Sequence, residues 1–140
     1  MISAILLIVL LAGLGAVAVS VGSAQGAAAG LDIAGLRASQ AAQAGIEWMS
    51  YRVLIPPAPA AAPPCPGGTT NLALPGSLAP FTVSVTCARS GPYTDGASTV
   101  YTYQITATAC NQPVAGSCPD PALAPGAGYV ERQVSARVQR

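Results

Sequence analysis

No ionisable side chain precedes Asp32: the chain opens MISAILLIVLLAGLGAVAVSVGSAQGAAAG, and its first basic residue is Arg37. As a helix, residues 1–21 are long enough to cross a hydrocarbon layer of about 30 Å. Such a stretch comes to rest only in lipid or among other apolar helices, and this limits what the rest of the chain can build. An ordinary signal peptide or membrane anchor opens with a basic segment, and none stands before this run. The expectation is therefore that a basic leader has been removed, or that the chain does not meet a translocon in this form.

Helical signals continue past the apolar run. Residues 31–54, LDIAGLRASQAAQAGIEWMSYRVL, contain no proline and place Ala42, Ile46, Met49 and Val53 at the three-and-four spacing of one helical face. Pro56 and Pro57 end the pattern. A continuous helix over residues 1–54 would reach about 80 Å at ~1.5 Å per residue. That exceeds a membrane span, so an apolar half (1–30) joined to an amphipathic half (31–54) reads as a stalk with neighbours. In the apolar half Gly22, Gly26 and Gly30 recur every fourth residue, a stripe that lets helix backbones approach closely. Gly13 and Gly15 favour local unwinding. The plainer alternative is that these glycines only weaken the helix, each by up to about 1 kcal/mol relative to Ala.

Residues 55–80 form a connection. PPAPAAAPPCPGG (56–68) suits a semi-rigid extended linker, and TTNLALPGSLAP (69–80) an irregular segment with a turn at Pro75 and Gly76. Residues 81–140 carry three strand patterns. Phe81, Val83, Val85 and Cys87 alternate with hydroxyl residues, and SGPYTDG (90–96) reads as a loop. In 99–110, Tyr101, Tyr103, Ile105, Ala107 and Ala109 share a face. In 129–138, Val130, Val134, Ala136 and Val138 point inward. An antiparallel meander with one dry face needs a cover, since three strands alone are barely stable, and the amphipathic half of the helix supplies it.

So small a head commonly depends on disulfides. All four cysteines, Cys65, Cys87, Cys110 and Cys118, follow the helix, and an even count in an exported-looking chain implies two cystines and an oxidising compartment. A zinc site is disfavoured, because the chain has no His and no Cys-x-x-Cys pair. With the first hairpin centred near Tyr93 and Thr94, Cys87 lies opposite about Val100. Cys110 is then roughly 30 Å further along at ~3.3 Å per residue, beyond the reach of a cystine of about 7 Å. Two pairings survive; Cys65 with Cys87 and Cys110 with Cys118 is preferred.

The formal net charge is +1, from six basic residues, all Arg, and five carboxylates. Neither a nucleic-acid patch nor a calcium-binding acidic run is present. Charged residues make up only 8% of the chain, so much of its surface is expected to be covered. Asp32, Glu47, Asp95, Asp120 and Glu131 stand singly, no Ser sits in a Gly-x-Ser-x-Gly elbow, and no glycine loop suits a phosphate. Neither an enzyme nor a cofactor is expected. Glu47 and Trp48 read as a surface charge and a partly buried anchor.

A long helix that turns amphipathic, a connecting loop, an antiparallel sheet and late disulfides resemble the type IV pilins and their relatives in type II secretion. More narrowly, ISAILLIVLLAGLGA (2–16), AAQAGIEWMSYRVL (41–54), FTVSVTC (81–87), TATAC (106–110) and YVERQVSARV (129–138) are similar to the MshP-like minor pilins of mannose-sensitive haemagglutinin pili. The resemblance covers about half the chain, in order. It implies an α+β pilin fold, cleavage of a precursor by a prepilin peptidase, residence in the bacterial inner membrane, and assembly by pilus machinery into an extracellular homo-oligomeric helical filament. Met1, Ile5, Leu6, Leu10, Gly13, Gly15, Gly22, Gly26 and Gly30 are the candidate packing residues. Most such pilins carry glutamate at the fifth mature position, where this chain has Ile5, and many begin with phenylalanine rather than Met1. These departures favour a low-abundance minor pilin or pseudopilin that primes or tips a fibre as the alternative to a bulk subunit. A rival of another class is a membrane-anchored periplasmic binding module that does not polymerise, with Tyr93, Tyr101 and Tyr103 as its ligand surface.

Overall fold

The computed structural model describes residues 2–55, 63–119 and 128–140, with side-chain surroundings in the long helix given for residues 6, 7, 9–13, 15, 26 and 29–54. The helix, α1, spans Ile2–Leu54, and four strands follow: β1 (Thr70–Ala73), β2 (Thr82–Asp95), β3 (Ser98–Cys110) and β4 (Glu131–Gln139). They form one antiparallel sheet in the order β1-β2-β3-β4. The fold is α+β: one helix packed on a four-stranded sheet with two disulfides. The chain divides into two units, Met1–Ala34 and Gly35–Arg140.

In the second unit, one face of α1 is made of Gly35, Ala38, Ala41, Ala42, Gly45, Met49 and Val53, all buried. Ile46, expected on that face, is only half-buried; the helical repeat gives its place to Gly45. The sheet meets this face with Val83, Val85, Tyr103, Ile105, Ala107 and Ala109, each fully buried. A Cβ added at Gly45 would stand 2.7 Å from Val83 Cγ1 and 3.1 Å from both Ala107 Cβ and Val85 Cγ2. Helix and sheet approach each other here so closely that only glycine fits. At the helix end Arg52 suits the negative pole of the helix and its guanidinium lies 5.0 Å from the Trp48 ring centroid.

Three sequence expectations are corrected. The segment expected to be irregular contains β1, whose Leu72 pairs with Val83 at the sheet edge. Residues 90–95, expected as a loop, continue β2, with a one-residue bulge between Ser90 and Tyr93. The hairpin turns instead at Gly96 and Ala97, with Asp95 opposite Ser98 and Gly96 at φ 61°, the glycine-first geometry of a type II′ turn. Cys87 therefore faces Ile105 rather than about Val100, and Cys110 faces Thr82. The two still lie about 17 Å apart at ~3.3 Å per residue, so the corrected register excludes their union just as the expected one did.

Candidate functional site: an uncovered helix and a stapled head

The head is fastened at three places. Cys65 is bonded to Cys87 with Cα atoms 5.5 Å apart, which ties the proline-rich linker to β2. The buried Tyr103 hydroxyl donates to the Pro63 carbonyl at 2.8 Å and holds the same linker two residues earlier. Cys110 is bonded to Cys118 with Cα atoms 5.8 Å apart, closing a short loop against the sheet face opposite α1. Of the two pairings that strand register left open, these bonds form the preferred one. Under that loop Ser84 is a hub: its hydroxyl donates to Asn71 Oδ1 at 2.7 Å, accepts from the Cys118 N–H at 2.7 Å and lies 3.2 Å from Ser117 Oγ. Nothing in the sequence singled out Ser84. A serine at an outward strand position is ordinarily solvated, and only the fold shows the loop that covers it.

The other fastenings join the end of the chain to the rest. Arg140 pairs with Tyr101 through both backbone bonds, and its guanidinium donates to Val53 O at 3.4 Å, satisfying a carbonyl left open at the end of α1. Arg132 lies on the inward face of β4, and its guanidinium reaches Gly35: a Cβ there would lie 3.1 Å from Arg132 Nη2. Asn111 receives the Val130 N–H at 2.9 Å and donates to Gly128 O at 2.8 Å. Tyr129 donates to the Glu131 carboxylate.

In Met1–Ala34 the described side chains are of another kind. Leu6, Leu7, Val9, Leu10, Leu11, Leu31 and Ile33 are 51–64% exposed. A Cβ added at Gly13, Gly15, Gly26 or Gly30 would meet nothing within 4 Å. Among the candidate packing residues, Leu6, Leu10 and these four glycines are thus open. Met1, and the side chains of Ile5 and Gly22, lie outside the described residues. Among the described residues no helix is long and apolar enough to cross a membrane. The spanning expectation for residues 1–21 falls largely on side chains outside that set.

The three tyrosines of the binding-module reading do not form one surface. Tyr103 is fully buried, Tyr101 is half-buried with Arg89 4.9 Å from its ring centroid, and Tyr93 is 53% exposed. Alternation along β3 puts Tyr101 and Tyr103 on the helix side, while the bulge in β2 turns Tyr93 to the other. Glu47 is exposed and Trp48 half-buried, as a surface charge and an anchor should be. Among the described residues no group of three or more His, Cys, Asp or Glu side chains is placed to hold a metal. Compared with known proteins, the chain matches no family model, no curated protein and no solved structure.

Proposed function

We propose that this chain is a structural pilin subunit, which polymerises through its apolar N-terminal helix into an extracellular filament of the type IV kind. One observation carries the reading: the same helix α1 is buried on a sheet from Gly35 onward but leaves leucines, valine and open glycines exposed before Ala34. Isolated apolar side chains on a surface are ordinary, whereas a run of them along a stretch with no charge before Asp32 is a surface that awaits a cover. Copies of the same helix supply it, with the glycines letting backbones approach. The stapled head stays outside, where its two disulfides suit an oxidising compartment. The inner membrane holds the apolar half beforehand, and a prepilin peptidase and assembly machinery act on it there.

The order of events follows from the physics. Lipid already shields the apolar run, so leaving the membrane for a filament gains little from water exclusion. Helix-to-helix fit decides assembly, which makes the open glycines the sensitive positions. Shear preparations from cells expressing the chain, negatively stained and probed with antibody to the head, are expected to show labelled fibres. Unlabelled fibres, or none, overturn the proposal. The second reading is a low-abundance subunit that primes or tips the fibre. Mass spectrometry of purified fibres distinguishes the two by copy number: a bulk subunit dominates the digest, and a priming or tip subunit is present at a few copies per fibre.

A further inference from the structure

The face of the sheet turned away from α1 is largely polar, with Ala73, Ala88 and Val100 among its residues, and its two ends differ. Toward the disulfide loop the side chains satisfy one another: Ser84 with Asn71, Thr106 Oγ1 with Ser135 Oγ at 3.1 Å, and Gln133 Nε2 donating to Thr108 Oγ1 at 3.0 Å. Toward the β2–β3 turn they do not. Tyr93, Asp95, Gln104, Arg137 and Gln139 surround a concavity of about 790 Å³, and none of their side chains makes a hydrogen bond or ion pair among the described residues. That volume lies in the roughly 300–1,000 Å³ range of small-molecule sites.

The register explains the shape. The outer face of β3, from Val100 through Thr102 to Gln104, is the floor, about 13 Å long at ~3.3 Å per residue. Gln104 stands opposite Arg137, and Thr102 lies between Ser90 and Gln139, so the flanking strands form the walls. Without the bulge, Tyr93 and Asp95 would face α1. The extra residue between Ser90 and Tyr93 turns both into the concavity, a use to which bulges are often put. Gly91 makes room for the ring: with φ 112°, a Cβ there would lie 3.0 Å from Val100 O and 3.3 Å from Tyr93 Cδ2.

We infer that this groove binds a neutral oligosaccharide. One guanidinium and one carboxylate stand in it without pairing, so the groove favours neither an anion nor a cation. It lies on a sheet face rather than along a strand edge, so it does not offer the ladder that an extended peptide would join. What remains is a dense set of amide, hydroxyl and charged donors and acceptors with one aromatic ring. That is the complement of a ligand rich in hydroxyls, with an apolar sugar face laid on Tyr93. The inference is independent of polymerisation, because every residue it uses is in the head.

The test is titration of the full-length, detergent-solubilised chain, labelled with ¹⁵N, with cellotetraose, maltotetraose and lacto-N-tetraose, and with tetragalacturonate as the acidic arm. Saturable shifts of Val100, Thr102, Gln104 and Arg137 amides by at least one neutral tetrasaccharide are expected. Tyr93→Ala should weaken that binding at least tenfold, and Gln104→Ala and Arg137→Ala severalfold, with thermal midpoints unchanged. Thr86→Ala, on the same face outside the groove, should leave it unchanged. No saturable shift with any neutral probe, binding by tetragalacturonate alone, or binding indifferent to Tyr93→Ala overturns the inference. Filament formation is scored separately and bears on neither outcome.

Discussion

Gly26 and Gly45 lie in one helix, and a methyl group added to each meets opposite surroundings. At Gly45 it collides with Val83, Val85 and Ala107; at Gly26 it meets nothing within 4 Å. Glycine costs about 1 kcal/mol relative to alanine in a helix interior, so both positions forgo stability that alanine would supply. In the second unit the reason is visible: the sheet lies against the backbone. In the first it is not visible among the described residues, and there the same loss of helix stability points outward. A helix that uses glycine for close packing where its own sheet is near is a fair guide to what its other glycines await.

The largest expected effects break this pair apart. Gly45→Leu should unfold the head or lower its stability by more than about 3 kcal/mol, because Val83 is fully buried, β-branched and stiff at χ1, and Ala107 can yield only by moving backbone. Gly26→Leu should not lower the thermal midpoint of the solubilised chain, since leucine recovers helix propensity there, and should abolish filaments. Thermal melts followed by near-ultraviolet circular dichroism check the first, and electron microscopy of sheared fibres checks the second. Undisturbed filaments from Gly26→Leu would remove close packing at that stripe, and a midpoint lowered by the same change would put its partner inside the chain.

Replacing both Cys65 and Cys87 by Ala should cost about 3 kcal/mol, the loop entropy released when a sequence separation of 22 is no longer closed. Tyr103→Phe acts on the same linker with a smaller expected loss of about 1 kcal/mol, since the Pro63 carbonyl gives up a part-buried donor at 2.8 Å. Urea unfolding of the solubilised chain measures both. Because each change lies in Gly35–Arg140, neither should alter filament symmetry if the head still folds. A changed symmetry would mean that the linker also takes part in assembly.

The legible parts of this fold were those where side-chain period and burial coincide. Val83, Val85, Ile105, Ala107 and Ala109 alternate with polar residues, and all are buried as alternation requires. The end of β2 was not legible, since Gly91, Pro92 and Asp95-Gly96 are turn chemistry. Gly96 does lie in the turn, and the structure shows why Gly91 and Pro92 are tolerated in the strand: they stand at the bulge, and β1 pairs only with Thr82 to Val85, so beyond it β2 is an edge. β1 itself is four residues with two half-buried, too short a pattern to read. Gly45 was hidden because the helical face was traced through Ile46, one residue away. A glycine inside a helix with no turn to serve was the available signal. The groove at Tyr93 could not be read at all, as one bulge decides which side of the sheet that ring faces.

The smallest expected effect is the sharpest check on the comparison. Gly35 is buried, like Gly45, and an added Cβ would again meet an atom closely, at 3.1 Å. The neighbour differs in kind: it is Nη2 of Arg132, the far end of a flexible and exposed side chain, rather than a branched side chain locked in a core. The guanidinium can withdraw by a few tenths of an ångström while its Nη1 keeps the Glu131 carbonyl, now 2.9 Å away. Alanine then recovers helix propensity that glycine forgoes, so Gly35→Ala should change stability by less than about 0.5 kcal/mol, in the stabilising direction. A loss comparable to that of Gly45→Ala, expected at about 1–2 kcal/mol from overpacking, would show that Arg132 is held as firmly as Val83. The closeness of a neighbour would then count for more than its stiffness, and the open glycines before Ala34 would have to be reconsidered on distance alone.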